Sequence, residues 1–259
     1  PGAAAGHGQT GLSAGLAAAS RNQARGRADL ALFEVGPAFH GGEPTEQHNL
    51  VTGLRVGRTG AKDVHGASRP VDVYDVKADA EAVLAAMGAP AKVQILRGAA
   101  DWWHPGRHGM ICLGPKKVLG VFGEVHPKVL AAMDVKGPAM AFTLWPDDIP
   151  QPRKASAGKG ALTLNDLQAV DRDFAFVVDA DVEALTLVNA AAGADKTMIG
   201  SVRVFDEFIG GSLGEGKKSL AITVRIEPQE KTLTEAEIEA VGAKVVEKVS
   251  KATGGVLRA

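Results

Sequence analysis

Cysteine is nearly missing from this sequence. Cys112 is the only one in 259 residues, which excludes an internal disulfide and with it a disulfide-dependent secreted fold. Long apolar runs are missing as well: hydrophobic residues make up 45% of the chain, yet no run approaches the roughly 20 apolar residues of a membrane span. The stretch Pro1 to Ala19 is rich in alanine and glycine but lacks the charged start and long apolar centre of a signal peptide. No glycine-rich phosphate loop of the P-loop type occurs. A basic excess is also absent, since the formal net charge is −1. These absences point to a soluble, cytoplasmic chain with no membrane partner, long enough for two domains with their own cores.

What is present is concentrated in the last third. Val204-Phe205-Asp206-Glu207-Phe208 and the run beginning at Lys217 read as two strands joined by the loop Ile209 to Gly216, which holds four glycines. Leu220, Ile222, Val224 and Ile226 alternate with Ser219, Ala221, Thr223 and Arg225, so one face is buried and the other meets solvent. Upstream, Gln168 to Val178 enters a strand, and Asp181 to Ala192 reads as a helix with Asp181 as its N-cap. Downstream, Thr234 and Glu237 form a capping box for a helix that runs through Val241, Val245 and Val249 to Gly254-Gly255. Val256-Leu257-Arg258 closes the order βαββαβ, a ferredoxin-like unit whose fold alone does not fix its function.

Particular residues carry a resemblance. Arg172-Asp173-Phe174-Ala175-Phe176, Phe205-Asp206-Glu207-Phe208, Leu213 to Ala221 and Lys231-Thr232-Leu233-Thr234 resemble the anticodon-binding domain that ends the bacterial phenylalanyl-tRNA synthetase β subunit. Arg21 to Gly26, Asp29 to Phe39, Trp102 to Arg107 and Gly120 to Pro127 resemble the catalytic-like core of the same subunit. The first 19 residues fit that pattern poorly and are expected to be irregular or altered. The fold so implied is α+β, a class II synthetase-like antiparallel sheet with helices over 20–150, followed by a ferredoxin-like βαββαβ domain over 168–259. Between them, 151–167 is a proline-bounded linker whose basic stretch, Arg153 to Gly160, either is simply solvated or touches RNA. The absence of an initiator Met is expected of a piece of a longer chain.

The first domain reads as a helix over Leu12 to Ala24 and strands over Leu30 to Val35 and Leu50 to Val56. A helix follows over Ala78 to Met87, then strands over Lys92 to Leu96, Met110 to Leu113, Lys117 to Gly123 and Ala139 to Leu144, with a short helix after Pro127. The resemblance implies a catalytically silent core that packs against the active α subunit. No arginine occurs in Gly120 to Pro127, where catalytic relatives place one on ATP phosphates, and Glu34 has no arginine partner following Phe39. No catalytic residue is therefore expected, nor a cofactor bound by this part of the chain. ATP and Mg2+ belong to the parent complex, an α2β2 heterotetramer. His104, His108 and His126 suggest a metal site, but Pro105-Gly106 breaks the helix that would align the first two, so no metal is expected. His104-Pro105-Gly106 reads instead as a chain reversal, with Trp102 and Trp103 buried and Arg107 available to a carboxylate.

For the anticodon face the resemblance implies contacts at Ala175, Asp206, Phe208 and Ser219. Phe208 is either a stacking platform or a core aromatic, with Phe205 and Phe208 on opposite faces if alternation is strict. Asp206 either accepts hydrogen bonds from guanine N1 and N2 or pairs with Lys217 or Lys218. Phosphate contacts are expected from Arg172, Lys217, Lys218, Arg225 and Arg258, the two lysines being otherwise solvated loop charges. From Arg172 to Ala259 there are 11 Lys and Arg against 14 Asp and Glu, which requires the charges to be segregated by face, with the acids on the helices. The expected partners are tRNA for phenylalanine and the α subunit. An independent, non-enzymatic RNA-binding or scaffold protein built from the same domains is the alternative.

Overall fold

The computed structural model of the protein describes residues 3–39, 41–60, 64, 66–90, 93–98, 101–150 and 165–258. Two compact units emerge, Pro1–Ser156 and Ala157–Ala259. Most of the expected linker, and its basic stretch Arg153 to Gly160, lies outside the described residues, as does Lys92 at the start of one expected strand.

In the first unit, helix α1 spans Ala3–Ala24. The expectation of an irregular segment over residues 1–19 is therefore corrected for its described part, residues 3–19. Leu12, Leu16 and Ala19, spaced along one helical face, are 3%, 1% and 0% exposed and pack into a core with Leu50, Leu54, Trp103 and Val125. An antiparallel sheet of six strands carries this helix: β1 (Leu30–Phe39), β2 (Gln47–Val56), β3 (Gln94–Leu96), β4 (Trp103–Leu113), β5 (Lys117–Val125) and β6 (Ala139–Leu144), in the order β1-β2-β6-β5-β4-β3. Helix α2 (Val73–Ala86) contributes Val76, Ala80 and Leu84 to a separate core with Ile111, Leu119, Phe142 and Leu144. It starts at a capping box that the sequence reading missed, in which Asp72 accepts from the backbone of Tyr74 and Asp75 and Asp75 reaches back to the Asp72 amide. Close approach explains one glycine. Gly53 on β2 lies opposite Phe142 on β6, and a Cβ there would run into the Phe142 ring.

A second correction concerns β4. Trp103 pairs with Val125 and His108 with Gly123, so the segment between them is bulged strand rather than a chain reversal. Helix α3 (Pro127–Ala132) then follows, and a 3-10 turn at Pro146–Asp148 comes after β6.

The second unit contains β7 (Val170–Asp179), α4 (Ala184–Ala192), β8 (Ile199–Phe208), β9 (Lys217–Ile226), α5 (Glu235–Thr253) and β10 (Val256–Leu257). Its sheet order is β10-β7-β9-β8, all antiparallel, which is the ferredoxin-like arrangement. Phe176, Val178, Leu220, Ile222, Val224 and Ile226 point to the helices, where Leu187 of α4 and Ile238, Val241, Val245 and Val249 of α5 bury them. Each such side chain contributes roughly 1.5–3 kcal/mol by leaving water. Thr234 and Glu237 form the expected box at the start of α5, and Gly254, at φ 66°, ends it in the left-handed conformation. Helix α4 differs from expectation: it starts after Glu183, not after Asp181, and without a side-chain cap.

Candidate nucleic-acid interface

The face of the second sheet turned away from α4 and α5 is built by register. One row crosses it from Arg258, whose amide donates to the Ala175 carbonyl at 2.7 Å, through Ala175 and Ala221 to Asp206. The next row holds Val256, Val177, Ser219 and Phe208. On the other side lie Asp173, Thr223 and Arg203, then Asp171, Arg225 and Ser201. Ala175, Asp206, Phe208 and Ser219 are thus brought together on two adjacent rows of one face. Two alanines at its centre leave a low shelf flanked by a carboxylate, a ring and a guanidinium.

A β-bulge produces this set. Val204 pairs with Ile222 and Asp206 with Ala221, so Phe205 is an extra residue in β8. Strict alternation places Asp206 and Phe208 opposite Leu220 and Lys218 on the helix side; the inserted residue shifts both to the outer face. Phe205 and Phe208 are consequently both exposed, at 51% and 42%, rather than one in and one out. The sequence signal was the end of the Val202, Val204 alternation at two consecutive apolar residues, Val204 and Phe205.

Individual placements vary. Asp206 is exposed and carries no ion pair among the described residues: Lys217 pairs with Asp179 at 2.6 Å and Lys218 with Glu207 at 3.3 Å. Ser219 differs from its expected exposure, being only 4% exposed between Phe208 and Val177. Arg258 is exposed, and its guanidinium carbon lies 5.8 Å from the centre of the Phe208 ring, within cation–π range. Gly210, just past β8, packs against the same ring so closely that a Cβ would collide with it.

The expected segregation of charge is only partial. Arg172 is in register with the buried Val224 and pairs with Glu235 at the start of α5, and Lys218 is 7% exposed on the same side. Both therefore belong to the helix face. Lys217 and Arg225 are on the outer face but engaged, Arg225 with Asp171 at 3.5 Å and Glu227 at 3.3 Å. Arg203, which the sequence reading did not single out, is exposed on the outer face without an ion pair among the described residues. Two carboxyls elsewhere in the unit are held low. Hydrogen bonds from Lys244 and Thr197 bring Asp195 from 3.8 to about 2, and those from Lys231 and Thr234 bring Glu237 from 4.5 to about 2.

In the first unit, the suggested metal ligands have backbone partners. His108 Nδ1 lies 2.6 Å from the His104 carbonyl, while His104 and His126 each accept from an amide two residues on. Among the described residues no group of three or more His, Cys, Asp or Glu side chains is placed to hold a metal ion. Arg107 donates to Glu124, a buried carboxylate, at 2.7 Å. Glu34 is exposed beside a groove of about 310 Å³ that Ala14, Arg21, Phe33 and Thr52 also line. No helix among the described residues is long and apolar enough to cross a membrane.

A six-stranded antiparallel α+β unit and a ferredoxin-like unit with one sheet face not covered by its helices define a two-module chain. Comparison with known proteins makes this specific. Residues 9–145 match the model of the phenylalanyl tRNA synthetase beta chain CLM domain, and residues 166–258 match the ferredoxin-fold anticodon binding domain. The chain belongs to the phenylalanyl-tRNA synthetase β chain family. It is 77% identical over 243 residues to the phenylalanine–tRNA ligase beta subunit of Ruegeria pomeroyi, covering 94% of this chain and 30% of that protein. The corresponding subunits of Cereibacter sphaeroides and Brucella suis are 63% and 50% identical, each over 94% of this chain and 31% of the relative. The chain thus spans about a third of the length of the relatives it matches.

Proposed function

We propose that the chain is the tRNA-holding and assembly part of a phenylalanine–tRNA ligase β subunit, with the outer face of its second unit receiving the anticodon loop of tRNA for phenylalanine. Residues 168–259 bind RNA, residues 20–150 pack against the catalytic α subunit, and 151–167 link them. The observation that carries the RNA assignment is the low row of Ala175 and Ala221 beside Asp206, a carboxylate with no ion pair among the described residues, with the half-exposed Phe208 ring and the Arg258 guanidinium next to it. A base lying on the alanines stacks against Phe208 and offers its donors to Asp206; guanine N1–H and N2–H suit a carboxylate that only accepts. Ser219, 4% exposed, supports the Phe208 row from beneath rather than offering its hydroxyl to the base.

No step of the chemistry is assigned to this chain. Phenylalanine activation with ATP and Mg2+, and transfer to tRNA, belong to the α subunit of a cytoplasmic α2β2 assembly. An isolated scaffold built from the same domains is the weaker reading, because the similarity to β subunits is ordered and runs through both units.

Amide chemical-shift mapping tests the proposal. Titration with the anticodon stem-loop is expected to perturb residues 173–177, 203–208 and 219–223 before those of α4 and α5. Perturbations confined to the helix face would overturn it.

A further inference from the structure

The outer face poses a problem of charge. A phosphodiester chain following a base across it needs cations, yet the cations of its strands are mostly occupied. Lys217 is held by Asp179 and Arg225 by both Asp171 and Glu227, while Arg172 and Lys218 lie on the helix side in ion pairs of their own. For each of these, contact with a phosphate first requires a carboxylate to be displaced. Among the described residues, two cations of this face have no carboxylate partner: Arg258, just past β10, whose guanidinium is turned onto the Phe208 ring, and Arg203, whose side chain is left to solvent.

Its position is as telling as its freedom. Arg203 sits on β8, the edge strand of the sheet, opposite Thr223. Asp206 is opposite Ala221, two residues away along β9, a step of about 6.6 Å. The bulge at Phe205 is what aligns the two, since it sets Arg203 and Asp206 on the same face despite their odd separation in sequence. The acidic side chain in Arg203's own row, Asp173, lies two strands away on β7 and accepts from the Thr223 hydroxyl at 2.7 Å. Arg203 therefore faces open solvent at the rim, next to the shelf that takes the base.

We infer that Arg203 is the backbone-phosphate contact of this face, binding the phosphodiester adjacent to the base held at Asp206 and Phe208. The inference rests on the anticodon reading above and extends it: Asp206 and Phe208 select, while Arg203 positions without reading sequence. It also reassigns the electrostatic part of binding from the paired cations Arg172, Lys217, Lys218 and Arg225 to a residue outside the resemblance.

The test uses the 259-residue chain, with a stem-loop bearing the phenylalanine anticodon and a second with a substituted anticodon, across salt concentrations from low to physiological. A phosphate contact on a single strand contributes about 0.7 to the slope of log K against log salt, or roughly fivefold in affinity at 0.1 M. Arg203→Gln is expected to make the slope shallower by about that amount and to weaken both loops equally, leaving their ratio unchanged. Arg203→Lys is expected to restore the slope. The side chain is exposed and has no ion pair among the described residues, which predicts an unaltered melting temperature in both variants.

An unchanged slope in Arg203→Gln, or a loss confined to the cognate loop, overturns the inference. Equal binding of both loops by the unsubstituted chain refutes anticodon selection but leaves the slope comparison decisive for Arg203. Absence of binding to either loop overturns both.

Discussion

The Arg258 guanidinium lies 5.8 Å from the centre of the Phe208 ring, although β7 and β9 separate their strands. Contact across that distance is possible because the row between them is lined by Ala175 and Ala221, which do not rise into the way. The cation–π contact itself is worth only about 0.5–1 kcal/mol at an exposed site. Its consequence is placement: the Arg258 side chain reaches over the alanines towards the ring, so a base lying on Ala175 and Ala221 beside Asp206 has to take the place of the guanidinium.

Phe208→Ala is expected to weaken stem-loop binding by roughly 1–3 kcal/mol, the range for loss of one base–aromatic stack. Folding should be little affected, because the ring is 42% exposed. Titration calorimetry together with thermal melting separates the two. A large drop in melting temperature with unchanged affinity would assign Phe208 to the core instead.

Arg107→Ala should destabilise the first unit. Glu124 is 7% exposed in its side chain and loses its cation in that variant, whereas Arg107 is 58% exposed and itself buries little. Leaving such an acceptor without its partner costs roughly 1–3 kcal/mol, read as a lower urea midpoint at unchanged slope. Glu124→Gln is expected to cost less, because the amide carries no charge to leave unpaired.

Leu16→Ala tests whether the first helix belongs to the core. Leu16 is 1% exposed among Leu12, Leu54 and Val56, so truncation should cost about 2–5 kcal/mol. A change near zero would show that the segment before Ser20 does not hold the sheet.

Acid sensitivity of the second unit follows from Asp195 and Glu237. Both carboxyls lie at about 2 in the folded chain, below their ordinary values of 3.8 and 4.5. Their pairing therefore stabilises the fold fully above about pH 4.5, and that contribution is lost as the pH falls towards 2. Lys244→Met removes the hydrogen bond to Asp195, 3.0 Å in the parent. The variant should melt below the parent at pH 6, and the difference should vanish near pH 2.

Some of this was legible in the sequence because it rests on local signals. The Thr234 and Glu237 box, the alternation from Ser219 to Ile226 and the Gly254 stop are each written within a few residues, and the structure contains all three. Other features depend on pairing between distant strands. The bulge at Phe205 exists only relative to β9, so alternation read along β8 alone misplaces Phe208 and cannot show that Arg203 and Asp206 share a face. The same holds for Arg172 and Lys218, whose charges suggested RNA contacts until register placed them beside α5 and Glu207. Likewise His104-Pro105-Gly106 has turn chemistry, but pairing on either side of it keeps the chain in β4.

The outer face of the second sheet is proposed to distinguish an anticodon. The most direct test compares the affinity of the chain for the phenylalanine anticodon stem-loop with that for a loop of substituted anticodon, in the unsubstituted protein and in Asp206→Asn. The expected result is a preference for the cognate loop that Asp206→Asn abolishes, because an amide presents donors as well as an acceptor to the guanine edge. An equal preference in both proteins, or none in the unsubstituted chain, would contradict it.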